Sequence, residues 1–196
     1  MGDFAIKLAR SSNIHPIITI AGQCKGSVSS FVDPIKGDVV LGYRDGTKAV
    51  SASIRKLGLD IKYRFDVIST LEFSELVGSL WNAKAGKLVE VTGQNKPTEG
   101  ILAGVEQFHV VTPYMWNPKC PESKEGKTGL KIRHREFGFM MFKWLGYAPP
   151  EGLIEGHPYG IVPSDLEGVS TMMKNMKGGI NKRVKYMVRI ADTKGI

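Results

Sequence analysis

The amino-acid sequence predicts a mainly β protein, an antiparallel β-sandwich or barrel with two short helices. The main observation is an alternation of apolar and polar residues in the middle of the chain, which is typical of strands with one face in water. Turn-forming stretches separate the alternating runs, and the 23 glycines among 196 residues favour a chain with many turns. The length and the ordinary apolar content predict one domain that spans residues 1–196.

The clearest predicted strand runs from Leu57 to Val67, where apolar residues alternate with glycine or charged residues. We expect the apolar set to be buried and the intervening Asp60, Lys62 and Arg64 to be exposed. Because parallel strands are usually apolar on both faces, this polar face indicates an antiparallel sheet. Weaker strand patterns lie at 17–21, 39–43, 87–92, 101–111, 130–142 and 183–190.

Two helix-capping patterns interrupt the predicted strands. Ser69 and Glu72 have the spacing of a capping box, and apolar residues follow at helical spacing, which predicts a helix at about 69–82. The same pattern begins again at Ser164 and predicts a second helix at about 164–177, ended by a pair of glycines.

The composition limits where the protein acts and what it contacts. The longest apolar runs are far shorter than the roughly 18 residues of a membrane span, and the N-terminus lacks the apolar core of a signal peptide. Cys24 and Cys120 fit no disulfide framework. The polar segment 117–129, rich in proline, glycine and charge, predicts an exposed loop. We therefore expect synthesis in a cytoplasm and no membrane partner.

No residue pattern in the sequence predicts catalysis. Gly126-Lys127-Thr128 is similar to the end of a phosphate-binding loop, but Pro121 stands where that loop needs a glycine. The four histidines are scattered, so their spacing predicts no metal site. No nucleophile motif is present either. The sequence predicts no catalytic residue, no cofactor and no metal, and the protein is not expected to be an enzyme, although an enzyme of unrecognised type stays in reserve.

Basic residues alternate in two of the predicted strands, so their side chains would lie on one face of each. Such faces could form a groove that follows a phosphate backbone, or they could be solvated edge strands whose charges discourage pairing. The candidate nucleic-acid-binding residues are Lys131, Arg133, Arg135, Lys182, Arg183 and Lys185.

The stretch Phe137–Tyr147 is the most apolar in the chain and holds five aromatic residues. As a strand, this stretch would carry large apolar groups on both faces. A one-domain antiparallel protein usually has no second layer that would bury the other face of such a strand. A neighbouring subunit could supply that layer. The candidate interface residues are Phe139, Phe142, Trp144 and Tyr147.

The block from Leu57 to Val111 reads as strand, capped helix, strand, polar turn and strand. This order resembles the β-sandwich modules of tailed-bacteriophage tail-tube, distal-tail and baseplate proteins. The resemblance covers somewhat over a quarter of the chain and rests on the pattern alone. It implies a bacteriophage virion protein that is made in the host cytoplasm.

The leading functional hypothesis is therefore a structural subunit of a phage-like viral tail, in the tube, adaptor or baseplate. Its partners would be further copies of itself, as a homo-oligomer, and neighbouring virion proteins, since assembly into rings or tubes uses repeated symmetric interfaces. The alternative is a β-barrel protein that binds nucleic acid through the basic strand faces.

Overall fold

The structure is a computed structural model of the chain. The structure describes residues 2–22, 24–68, 70, 72, 75–76, 78, 80, 86–91, 106–109, 134–163, 165–180 and 184–192. The helices are α1 (Gly2–Ser11), α2 (Lys25–Ser29), α3 (Thr47–Lys56), α4 (His134–Tyr147) and α5 (Gly168–Lys177). The strands are β1 (Ile18–Ala21), β2 (Val39–Gly42), β3 (Tyr63–Asp66), β4 (Lys87–Glu90), β5 (Glu106–His109), β6 (Tyr159–Ile161) and β7 (Lys185–Met187).

Contacts divide the chain into two compact units, and each is described by itself. The first unit comprises Met1–Ala5 and Gly42–Ile154, and the second comprises Ile6–Leu41 and Glu155–Ile196. The expectation of one domain stays a prediction. The predicted loop at 117–129 lies outside the described residues.

The first unit holds a three-stranded parallel sheet in the order β3-β4-β5. Parallel neighbours require a crossover connection, and described residues between β3 and β4 lie in helical backbone at positions 72, 75, 76 and 78. Helix α3 precedes the sheet and buries Val50 and Ile54, which share one face because they are four residues apart. Its last turn carries Arg55 and Lys56, whose charges suit the negative end of the helix dipole.

The second unit is built on two small sheets, β1-β2 and the parallel pair β6-β7. Its apolar core is formed by Ile6 of α1, Val28 of α2 and Phe31. Between α2 and β2 the chain turns at Asp33, whose carboxylate accepts a hydrogen bond from the Ile35 amide at 3.0 Å. Strands β1 and β2 are hydrogen-bonded neighbours, and Ala21 and Val40 pack against this core.

The predicted antiparallel β-sandwich or barrel is wrong, because the described strands of the first unit and the β6-β7 pair are parallel and helices alternate with strands. Five of the weaker strand predictions nevertheless overlap observed strands, namely β1, β2, β4, β5 and β7. A helix, α5, also lies within the predicted range 164–177. Local patterns located many elements, but they gave the wrong direction for the sheet.

The predicted strand from Leu57 to Val67 differs from the structure in both extent and orientation. Its first residues form the turn after α3, and β3 begins only at Tyr63. Tyr63 is 75% exposed and Phe65 48%, whereas Asp66 is 4% exposed. The buried face of β3 is therefore the polar one, opposite to the prediction.

The predicted strand at 130–142 is also wrong, since α4 covers residues 134–147. In this helix Gly138 is buried and Met141, Trp144 and Leu145 are half-buried, which follows the helical spacing i, i+3, i+6, i+7. A run that is apolar at nearly every position fits both the two-residue period of a strand and the 3.6-residue period of a helix. In the structure this run forms a helix.

Candidate functional site

The three parallel strands of the first unit end in one row. The register pairs Asp66 with Glu90 and Glu90 with His109, which are the last residues of β3, β4 and β5. Open parallel sheets bind ligands in the crevice outside the carboxyl ends of their strands. This row, called the carboxyl edge below, is therefore the candidate functional site.

Asp66 forms hydrogen bonds that fix the backbone at the point where the chain leaves the sheet. Its Oδ1 accepts a hydrogen bond from the Ile68 amide at 2.9 Å, which fixes the turn after β3. Its backbone carbonyl accepts from the Val91 amide at 3.0 Å, so the ladder extends one residue beyond β4. Since the residue is 4% exposed, Asp66 orients the peptide groups of the edge and is not itself presented to a ligand.

The buried face of this sheet carries both signs of charge. Arg64, Asp66 and Glu90 alternate onto the same face, and Glu90 is 1% exposed. Burial lowers the pKa of Arg64 to about 10, so the guanidinium remains protonated at neutral pH. A cation on the same face reduces the cost of burying two carboxylates. These groups belong to the interior of the sheet and do not form a phosphate site.

Just outside the strand ends, the carboxyl edge carries mainly aliphatic side chains. Ile68 is 68% exposed, Thr70 is exposed, and Val67 and Val91 are half-buried. Exposed apolar side chains at the end of a sheet offer a surface on which a ligand can pack.

The second unit contains a buried histidine–aspartate pair. His15 Nδ1 lies 2.8 Å from Asp38 Oδ1, and the Asp38 carboxylate also accepts from the amides of Ile17 at 2.7 Å and Asp33 at 2.8 Å. Burial by itself would raise the pKa of Asp38, but these hydrogen bonds hold the pKa below its ordinary value. An ionised carboxylate only accepts, so Nδ1 of His15 carries the hydrogen.

The position of this pair indicates a structural role. The Asp38 side chain is fully buried and that of His15 is 10% exposed, with Nε2 buried and without a hydrogen-bond partner. The pair joins the segment before β1 to the residue before β2. An imidazole so enclosed orients the backbone and does not reach a substrate.

Two of the six predicted basic residues lie in the described part of the chain. Arg135 lies in α4 and Lys185 is exposed in β7, so the two belong to different units. Lys131, Arg133, Lys182 and Arg183 lie outside the described residues. The predicted interface residues Phe139, Phe142, Trp144 and Tyr147 share α4, and all but the half-buried Trp144 are exposed.

The described part of the chain offers neither a metal site nor a membrane-spanning helix. No three His, Cys, Asp or Glu residues there are placed to bind one metal ion. Among the same residues, no helix is both long and apolar enough to cross a membrane.

Comparison with known proteins identifies the fold. No protein-family profile matches the chain. The chain is 27% identical over 174 residues to the trans-enoyl reductase fsr4 of Gibberella fujikuroi, a match that covers 86% of this chain and 46% of the relative.

Two solved structures are similar at 14% sequence identity. One is a protein from Rhizobium etli that is assigned as a zinc-dependent alcohol dehydrogenase, with a TM-score of 0.67 and coverage of 96% of this chain and 51% of that one. The other is the apo form of the JamJ enoyl reductase, with a TM-score of 0.65 and the same coverage. The fold is that of the medium-chain dehydrogenases and enoyl reductases, and the chain spans about half the length of the proteins it matches.

These findings correct the functional predictions. The resemblance to tailed-bacteriophage proteins is wrong, and with it the viral-tail subunit and the virion location that it implied. The nucleic-acid-binding alternative has no support either. The expectation that the protein is not an enzyme is contradicted, because the sequence relative and the structural neighbours are oxidoreductases.

The alternation pattern does not reveal the carboxyl edge. In that pattern Asp66 is one polar residue of an alternating strand, and Glu90 belongs to a weak strand. The useful signal was the alternation of strands with the helical patterns of α1 and α3, which is typical of parallel α/β proteins. The spacing of Val50 and Ile54 belongs to that signal.

Proposed function

We propose that this chain forms the cofactor-binding α/β part of an oxidoreductase that reduces the carbon–carbon double bond of an enoyl compound. The observation that carries the proposal is the 27% identity to a trans-enoyl reductase over 86% of the chain. The TM-scores of 0.67 and 0.65 support the same kind of protein at the level of fold. The trans-enoyl reductase is about twice as long as this chain. That this chain takes part in the same reaction is therefore also a proposal.

The chemistry of an enoyl group indicates the cofactor class. The double bond is conjugated to a carbonyl, so reduction adds a hydride to the carbon farther from the carbonyl and a proton to the nearer one. Hydride transfer in proteins relies on a nicotinamide or flavin cofactor. Open parallel sheets are typical of dinucleotide binding, which favours a reduced nicotinamide dinucleotide here.

The residues at the carboxyl edge fit one part of such a cofactor. The exposed Ile68 would pack against a flat ring, and the backbone near Val67 and Val91 would exchange hydrogen bonds with its amide. Asp66 holds the Ile68 amide and thereby orients this backbone. The sequence contains no two glycines separated by one residue, so the glycine-rich turn that binds a pyrophosphate is not assigned to this chain.

Calorimetric titration of the purified protein with NADPH and with NADH tests cofactor binding. We expect saturable binding of at least one of the two, and weaker binding by the Asp66→Asn variant, because the amide group of asparagine presents donors as well as an acceptor to the turn. The matched control is Asp60→Asn, an exposed carboxylate that lies 3.8 Å from Lys62 at the surface. A folded protein that binds neither cofactor would overturn the proposal.

Turnover is measured separately with a trans-2-enoyl thioester as the substrate. We expect loss of the reduced-nicotinamide absorbance that depends on both protein and thioester. Cofactor binding without turnover would retain the cofactor-binding role and would remove the claim that this chain alone performs the reduction.

A further inference from the structure

The second unit consists of two separate stretches of chain, and each stretch has internal contacts of its own. The first stretch is Ile6–Leu41, which we call the α1 block. The described members of the apolar core around Phe31 all lie in this block. The second stretch is Glu155–Ile196, which we call the α5 block.

The α5 block has the order of a β-α-β unit. Strands β6 and β7 are parallel neighbours, and α5 lies between them in the sequence. Beyond the end of β6, the Val162 amide donates a hydrogen bond to the Met187 carbonyl at 2.8 Å. Gly168 at the start of α5 lies so close to Val188 that a Cβ would be 3.4 Å from a methyl group of this valine. The helix and the two strands of the block therefore hold one another in place.

The side chain of Lys7 in α1 joins the α1 block to the α5 block. Its Nζ donates hydrogen bonds to two consecutive carbonyl oxygens, that of Glu155 at 2.9 Å and that of Gly156 at 3.0 Å. These two residues lie in the segment that leads into β6. We call this set of contacts the Lys7 bridge.

The ammonium group of the bridge is fixed from the α1 block as well. It lies 4.7 Å from the centre of the Phe31 ring, which belongs to the apolar core of that block. The face of an aromatic ring attracts a cation. Since the Lys7 side chain is only 9% exposed, its charge is held between the ring of one block and the carbonyls of the other.

The Glu155 carboxylate contributes less to the bridge than the backbone does. Its Oε2 is 4.0 Å from Lys7 Nζ, and the Glu155 side chain is 83% exposed. Exposed ion pairs add little to stability, whereas hydrogen bonds from a charged donor are stronger than those between neutral groups. The bridge therefore depends on the Lys7 ammonium and on the two carbonyl groups.

We infer that the Lys7 bridge keeps the α5 block closed on α1, and that the α5 block opens as one unit when the bridge breaks. Proteins open locally in contiguous cooperative units, and these units often coincide with supersecondary motifs such as a β-α-β unit. The bridge is thus a conformational device that sets how often this block opens. The inference is independent of the proposed enzymatic function, because every contact that carries it lies in the second unit.

Amide hydrogen exchange of the native protein and of the Lys7→Met and Glu155→Gln variants tests the bridge. Methionine keeps an unbranched side chain and removes the three N–H donors. In Lys7→Met, the amides of β6, α5 and β7 should all exchange about tenfold faster, because the closed state has lost two hydrogen bonds from a charged group. Amides of α2 and β1 should change by less than about twofold, because they open separately. Glu155→Gln is the matched control and should exchange like the native protein.

Three results of this experiment would overturn the inference. Unchanged exchange in the α5 block of Lys7→Met would show that the bridge does not keep the block closed. An equal acceleration in α2 and β1 would show that Lys7 stabilises the whole unit and does not act between two blocks. An effect of Glu155→Gln as large as that of Lys7→Met would assign the bridge to the side-chain ion pair.

Acetylation of the native protein by an N-hydroxysuccinimide ester gives a second test, which also decides the question if Lys7→Met does not fold. The reference is Lys25, an exposed lysine in α2 of the same unit. Lys7 should react at least about tenfold more slowly than Lys25, because its ammonium must first leave both carbonyl acceptors. Mass spectrometry of the peptides measures the two rates. Equal rates would show that the Lys7 ammonium is not held, and would overturn the inference.

Discussion

Asp38 joins three short segments of the second unit through a single side chain. It accepts hydrogen bonds from His15, from the Ile17 amide that leads into β1, and from the Asp33 amide at the turn before β2. Bonds to a charged acceptor are stronger than those between neutral groups. The ionised carboxylate is therefore an important local determinant of how β1 and β2 are positioned.

Replacing Asp38 by asparagine should destabilise the protein at neutral pH by about 2 to 3 kcal/mol, because the amide cannot accept three hydrogen bonds at the same geometry. The pKa of Asp38 is lowered in the folded state, so its contribution is complete above the unfolded pKa of about 4 and is lost as the pH falls through the folded pKa. Urea unfolding at a series of pH values measures the effect. The difference from the native protein should shrink under acid, and a constant difference would contradict this account.

Gly168, the first residue of α5, is required for a steric reason. A Cβ at this position would lie 2.6 Å from the Pro163 carbonyl oxygen and 3.3 Å from a Val162 methyl group. The backbone oxygen cannot move aside as a flexible side chain could. We expect Gly168→Ala to reduce the free energy of unfolding by about 1 to 3 kcal/mol.

The control for this substitution is Gly26→Ala in α2, where a Cβ would meet nothing within 4 Å. Alanine favours helix over glycine by up to about 1 kcal/mol, so this variant should be neutral or slightly stabilised. Thermal unfolding of the two variants compares them directly. Equal stability would show that the close approach at Gly168 is relieved without cost.

At the scale of single elements, the sequence predicted where many strands lie and failed to predict how they pair. Strands β1, β2, β4, β5 and β7 each overlap a predicted run, because β-branched and aromatic residues mark strands locally. Strand direction depends on the crossover connections between strands, which are not local. The carboxyl edge could not be predicted for the same reason, since Asp66 and Glu90 meet only when their strands are parallel.

Helix α4 was assigned to the wrong type of structure because its composition fits two periods. Phe139, Met141 and Lys143 alternate with Met140, Phe142 and Trp144, so nearly every position satisfies the spacing of a strand and also that of a helix. Gly138 is buried in the helix. That Phe139, Phe142, Trp144 and Tyr147 form an interface stays a prediction. All four residues lie in α4.

The buried face of the parallel sheet can be tested with two substitutions of opposite expectation. Leu88 in β4 is 1% exposed, whereas Phe65 in β3 is 48% exposed on the other face. Leu88→Ala should cost about 2 to 5 kcal/mol, the usual range for a fully buried leucine, and Phe65→Ala should cost clearly less. Chemical denaturation of both variants decides the matter. A larger loss for Phe65→Ala would restore the face that the sequence pattern predicted.

At the scale of the whole molecule, the fold was recognisable only by comparison. The solved structures share 14% of residues with the chain, which is too little for a motif to be visible in one sequence. Their TM-scores depend on the order and packing of elements. The chain spans about half of each relative. Within the chain, the proposed function uses the parallel sheet and its carboxyl edge.

Amide hydrogen exchange with and without NADPH and NADH tests the central claim most directly, because it reports both binding and its location. If the carboxyl edge holds the cofactor, exchange should slow in peptides that contain residues 63–68 and 86–91, with a larger change than in peptides from β6 and β7. The Asp66→Asn variant should lose most of that protection and keep its overall exchange pattern. No change in either peptide at saturating cofactor, or protection confined to the second unit, would contradict the account.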